Sequence, residues 1–358
     1  MKTIKHIALL PGIIIATFFL SLNLFAQVEA VTIPDEAERN YSRTFHNYDD
    51  TQQKTELIEQ RWLDSGAWGN HRRKQYRYED DGRTVVTLIQ FWQNGRWNNA
   101  TREVATYNAD NDRTSRTREH WDGDGEWTPE QRDIYTYENT NQMSEWRSQL
   151  RTEAGNWFYT WRFTYSYTDD DLISGIMYEE WRQNSWQPVR QTTDSYNENN
   201  QRTERIIYES HRGRRTPEKA YVFEYDDESG LMIRQLTRRW DGNDWRNYED
   251  ELYDYDEESR LIQTEYRTFE ENDTGRVVAR EVYNYGDEEE SKTERIREER
   301  SPDGSMEEVW RYVYIYDYRG YKTVKSFYVF QEDGWIEQNR TTFTYDIYGN
   351  CTSSVTQK

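Results

Sequence analysis

The sequence predicts an all-β protein: a continuous antiparallel meander of about ten thirty-residue hairpin repeats, about 22 strands in all, rolled or coiled to shield an aromatic face. Three observations predict it. Tyrosines recur on a single register along the chain, two turn-forming clusters fall within each period, and the aromatic residues are spaced by two rather than by three or four.

The register is carried by Tyr48, Tyr78, Tyr107, Tyr137, Tyr167, Tyr196, Tyr225, Tyr255, Tyr285, Tyr316 and Tyr345, which lie 29 to 31 residues apart. Two residues earlier stands a Phe or Tyr in eight of the eleven cases; His46, Ala105 and Asp194 are the exceptions. Each anchor is followed by a turn, such as Asp346-Ile347-Tyr348-Gly349. A second turn falls midway, as in Gln93-Asn94-Gly95, Asp122-Gly123-Asp124-Gly125 and Asp241-Gly242-Asn243. Two turns per period leave two strands of about ten residues each, the spacing of hairpins and meanders.

Tryptophans flank the mid-repeat turn. Trp62, Trp92, Trp121, Trp181 and Trp240 precede it, and Trp68, Trp97, Trp127, Trp186 and Trp245 follow it. Folding each hairpin at that turn sets the two indoles opposite one another, a cross-strand pair that stabilises a sheet by roughly 0.2–1 kcal/mol. Counting in steps of two from these pairs reaches the anchor tyrosines, so tryptophans and tyrosines are expected on one face. Five residues before the anchor lies an arginine in eight of eleven repeats: Arg43, Arg73, Arg102, Arg132, Arg162, Arg280, Arg311 and Arg340. That column is expected on the opposite face.

Laid flat, about 22 strands would span about 105 Å, and wide sheets coil or close. A β-propeller of five four-stranded blades is the alternative architecture. A transmembrane barrel fits less well, because segments such as Thr114–Glu119 and Glu294–Arg300 carry charge on both faces.

Residues 1–26 read as a secretory signal peptide. Lys2 and Lys5 precede an apolar core, and Leu24-Phe25-Ala26 offers a small residue at the cut before Gln27. Residues 27–40 form a polar lead-in and 41–358 one repeat domain. Without Lys2 and Lys5, 44 basic residues face 67 acidic ones, a net charge of −23. So acidic a chain repels phosphate backbones and argues against nucleic-acid partners; no membrane span is expected after cleavage. One cysteine, Cys351, excludes an intrachain disulfide framework.

Tyr316-Asp317-Tyr318-Arg319-Gly320, Tyr345-Asp346-Ile347-Tyr348-Gly349 and the looser Tyr78-Glu79-Asp80-Asp81-Gly82 resemble the Tyr-Asp-x-x-Gly core of YD repeats, as in RHS proteins. The resemblance covers about nine-tenths of the chain and implies β-meanders that spiral into shells, often around a toxin cargo. Here the period is nearer thirty than the low twenties, and no non-repeat C-terminal toxin segment is visible. The signal is similar to those of secreted Bacteroidota proteins, which implies a periplasmic, outer-surface or extracellular location.

For chemistry, the chain has no nucleophile elbow, phosphate-cradling loop or metalloprotease helix. His46, His71, His120 and His211 lack ligand spacing, and no pair of the abundant carboxylates stands out as a glycosidase dyad. Asp122-Gly123-Asp124-Gly125-Glu126 resembles a fragment of a calcium loop without its bidentate Glu, so no cofactor is expected apart from calcium as the outside candidate. The expected role is a secreted, non-enzymatic scaffold or cell-surface binding protein, with an extracellular glycan or surface protein as partner. The alternative is glycan binding by the ten paired tryptophans above, and a glycosidase-type enzyme is the lesser one.

Overall fold

In the computed structural model the described residues are 42–357, apart from 80–81, 212, 271–274, 287–291 and 333. The expected signal peptide (1–26) and lead-in (27–40) lie outside them. The described residues form 22 antiparallel strands in which each strand pairs with the next in sequence.

The first strand, β1 (Ser42–Tyr48), also pairs with the last, β22 (Cys351–Gln357), through Ser42↔Thr356, Arg43↔Val355, Thr44↔Ser354 and Phe45↔Ser353. The sheet is therefore a closed 22-stranded barrel. This corrects the expectation of a rolled or coiled meander, and equally that of a propeller, whose blades would interrupt the ladder. Closure has a physical driver: an open sheet leaves two rows of unpaired N–H and C=O groups, and joining them removes both edges.

The same residue types recur at the same structural points. The anchor tyrosine's hydroxyl donates to the main-chain carbonyl of a residue 23 or 24 positions earlier: Tyr78 to Lys54, Tyr137 to Arg113, Tyr167 to Met143, Tyr225 to Arg202, Tyr285 to Leu261. Tyr48 makes the same bond across the seam, to Cys351. Next to seven of the eleven anchors, an Asp or Asn caps the turn. Asp49 Oδ1 accepts from the amides of Thr51 and Gln53, and Asp346 Oδ1 from those of Tyr348 and Asn350. The turn's fourth residue after the anchor takes positive φ, 79° at Gly320 and 86° at Gly349, which is why the motif ends in glycine. Tyrosine clasps, aspartate caps and glycine turns.

Two bulges per repeat bend the ladder. One extra residue sits seven positions before the anchor in all ten hairpins closed at a mid-repeat turn; His71, Ala100, Glu130 and Thr160 are the first four. A second falls just after the anchor turn in every repeat except that of Tyr78, commonly at Thr or Ser. The hydroxyls of Thr114, Thr323 and Thr352 there cap the carbonyls of Thr106, Ile315 and Thr344. Bulges add local bend and twist, the devices by which wide sheets curve and close.

Candidate functional site

The five predicted tryptophan pairs meet as expected across their turns. Ring centroids are 5.3 Å apart for Trp62–Trp68, 5.1 Å for Trp92–Trp97, 4.9 Å for Trp121–Trp127, 5.1 Å for Trp181–Trp186 and 5.4 Å for Trp240–Trp245. Four are edge-to-face and Trp121–Trp127 is tilted, geometries favoured by the ring quadrupoles. Phe330–Trp335 repeats the arrangement at 5.1 Å. All ten paired tryptophans are half-buried.

The arginine column lies on the same face as the second tryptophan, not on the opposite one. The guanidinium carbon of Arg43 stands 4.4 Å from the ring centre of Trp68, Arg73 4.9 Å from Trp97, Arg102 4.9 Å from Trp127, Arg132 4.7 Å from Trp157, Arg162 4.7 Å from Trp186 and Arg311 4.6 Å from Trp335. The bulge seven residues before each anchor is the reason. It inserts one residue between tryptophan and tyrosine, so side-chain alternation slips by one and the two columns part to opposite faces.

Five of these six arginines are held from the side through Nε as well. Arg43 Nε donates to Gln60 Oε1 at 2.7 Å, Arg73 Nε to Gln90 Oε1 at 2.7 Å, Arg132 Nε to Gln149 Oε1 at 3.1 Å and Arg162 Nε to Glu179 Oε2 at 2.5 Å, while Arg102 pairs with Glu119. Gln60 and Gln90 pass the chain on to Asn70 and Asn99. This Gln/Glu column was missed in the sequence, although its members follow their anchors by twelve residues in all five cases. The result is a ladder of planar guanidiniums, edge-bonded to amide or carboxylate and stacked on indole. Where the partner is Gln60, burial lowers the pKa of Arg43; Arg162, also desolvated, is raised overall by Glu179 and Glu145.

The other features singled out in the sequence serve the fold. Asp122 Oδ1 accepts from the amides of Asp124 at 2.8 Å and Glu126 at 3.3 Å, the bonding of a tight turn. Among the described residues no group of three His, Cys, Asp or Glu could hold a metal ion. His46 is buried, and burial together with Arg61 lowers the pKa of His71, which sits at a bulge. Burial pushes the Cys351 thiol up to about 11, which keeps it protonated and unreactive.

No family model matches the chain. No curated protein matches it either. Among solved structures it is similar to a Bacteroides fragilis protein of unknown function, at 18% identity over 32% of this chain and 87% of that one, with a TM-score of 0.29. It is similar to the Photorhabdus luminescens Tc holotoxin pore at 14% identity and a TM-score of 0.39, covering 86% of this chain and 16% of that one. A porin-like protein from Bacteroides uniformis matches at 10% identity and a TM-score of 0.28, over 67% of this chain and 94% of that one. The barrel itself is read from this chain's own strand pairing.

Proposed function

We propose that the chain is a secreted, non-enzymatic barrel shell of the YD-repeat type that works in water and offers its faces and rims as binding surface. The observation that carries this reading is the β1–β22 pairing, which leaves the barrel closed. The second support is the charge on both faces. In β3 (Trp68–Glu79), Arg73 and the adjacent Lys74 point to opposite sides, and β18 (Lys292–Arg300) bears Glu294 next to Arg295. An outward-facing Arg or Lys near a bilayer midplane costs about 2–4 kcal/mol, so strands such as these favour water. The clasp-cap-turn roles of Tyr, Asp and Gly supply a physical reason for the Tyr-Asp-x-x-Gly recurrence and support the YD-repeat assignment.

The tryptophan pairs act in this reading as cross-strand clasps. Four of the five second indoles, Trp68, Trp97, Trp127 and Trp186, have an arginine over one ring face, which favours a structural role over sugar stacking at those four. The test is partitioning. Residues 27–358, purified without detergent, should stay in the aqueous phase of a Triton X-114 separation and fail to float with liposomes. Co-flotation, or a need for detergent to remain monodisperse, would overturn the reading.

A further inference from the structure

On the face that carries the anchor tyrosines, paired cations recur in the strand after the anchor turn, and most are neutralised. Arg116 is bonded by Asp133 at 2.7 Å, and Arg205 by Asp194 at 2.7 Å, with both carboxylates buried. The last part of the barrel differs. In β18 the pair is Lys292 and Arg295; in β20 (Lys322–Gln331) it is Lys322 and Lys325. Glu281 takes Arg295 at 2.6 Å. Among the described residues no carboxylate lies within ion-pair reach of Lys292, Lys322 or Lys325.

Aromatic rings surround these lysines instead. Lys292 Nζ lies 3.9 Å from the Tyr283 ring centre, Lys325 Nζ 4.6 Å from Tyr312, and Lys322 Nζ 5.5 Å from Tyr314. The ladder fixes the layout: Arg295 is opposite Tyr312, and Tyr314 is opposite Lys325. All six of Lys292, Arg295, Tyr312, Tyr314, Lys322 and Lys325 are half-buried. Lys292 and Lys325 both have pKa values below the usual lysine value, first through desolvation and then through neighbouring cations. Positive charge is thus gathered and partly desolvated around a single buried carboxylate, Glu281, which Arg295 and Arg297 already engage, in a chain whose net charge is −21.

We propose that this patch is a binding site for an acidic saccharide, a sugar bearing carboxylate or sulfate groups. The chemistry is complementary: three ammonium groups provide donors for the anion, and the tyrosines between them provide flat apolar faces and hydroxyls for the ring. A short sugar with about one charge per ring matches a small island of lysines set among tyrosine rings, and the acidic remainder of the barrel would repel a longer polyanion of any kind. The inference does not depend on the shell reading, because it concerns one face of four strands and stands whether or not the barrel meets a membrane.

Calorimetric titration of the full chain tests it, with hexagalacturonate as the carboxylate probe and a chondroitin sulfate hexasaccharide as the sulfate probe. Cellohexaose and a single-stranded DNA hexamer are the comparators. At least one acidic sugar should bind, at least tenfold more tightly than cellohexaose, and more weakly as salt is raised. Lys322→Gln with Lys325→Gln should lose at least tenfold. Lys219→Gln, which removes a lysine 4.6 Å from the Tyr221 ring centre elsewhere in the barrel, should change nothing. Circular dichroism checks folding, and Lys325→Gln alone serves if the double variant unfolds. Failure of both acidic sugars to bind, tighter binding of the DNA hexamer, or undiminished binding by the lysine variant would overturn the proposal.

Discussion

The hydroxyl of Tyr48 donates to the main-chain carbonyl of Cys351 at 3.3 Å, although 303 residues separate them in sequence. The same clasp elsewhere joins residues 23 or 24 apart, as from Tyr225 to Arg202 at 2.9 Å. Asn350 reinforces the contact by donating to Gln52 Oε1 at 2.5 Å across the same seam. One repeat rule therefore operates both along the chain and between its two ends, and the seam is built like any other repeat boundary.

Removing the clasp tests closure directly. Tyr48→Phe and Tyr225→Phe each delete one hydroxyl and leave a part-buried carbonyl short of a donor, at a cost of about 0.5–1.5 kcal/mol. In a closed barrel the two variants should lower the urea midpoint by similar amounts. If Tyr48→Phe were silent while Tyr225→Phe destabilised, the seam would be open in solution.

The arginine–tryptophan ladder makes a second expectation. A double-mutant cycle on Arg73→Ala and Trp97→Ala should return a coupling of about 0.5–1 kcal/mol, typical of a partly exposed cation–π contact. The same cycle on Arg73 and Tyr78 should return near zero, since unbroken alternation over five residues puts them on opposite faces. Zero coupling between Arg73 and Trp97 would restore the unbulged register, in which that tryptophan shares the tyrosine face.

That contrast marks what was readable in the sequence. Strand-turn periodicity, the cross-strand tryptophan pairs and the recurrence of Arg43, Arg73 and Arg102 are local, and turn chemistry with period-two spacing reveals them. The phase slip is not, because His71, Ala100, Glu130 and Thr160 share no residue type that announces a bulge; only counting against a partner strand exposes it. Closure was hidden for a different reason. It rests on β1 meeting β22 through residues such as Thr44 and Ser354, whose small polar side chains would suit any strand pair. The lysine patch went unseen because its distinguishing mark is a missing carboxylate partner, which only the assembled ladder displays.

Titration gives a third expectation. Burial pushes Tyr137, Tyr178, Tyr283 and Tyr345 up to about 12, from the ordinary tyrosine value of 10.0. The folded state therefore holds these phenolic protons more tightly than the unfolded chain does. Their contribution to stability is complete below pH 10 and is lost as pH rises through 12. Tyrosinate absorbance at 295 nm should show a late fraction that rises together with loss of the far-ultraviolet β signal. Full ionisation near pH 10 with the barrel intact would refute the burial.

The turn glycines of the two Tyr-Asp-x-x-Gly motifs should respond unequally to the same change. Gly320 and Gly349 both have positive φ, so alanine at either meets a backbone penalty of about 1–2 kcal/mol. At Gly320 an added Cβ would find no atom within 4 Å. At Gly349 it would run into the Tyr321 hydroxyl, and that ring is stacked on Tyr345 at 5.0 Å. Moving Tyr321 would disturb the anchor that clasps Lys322. Gly349→Ala should therefore lower the urea midpoint clearly more than Gly320→Ala, and Gly349→Ala combined with Tyr321→Ala should fall short of the sum of the single effects. Equal losses for the two glycine variants would mean that Tyr321 does not pack against the last turn.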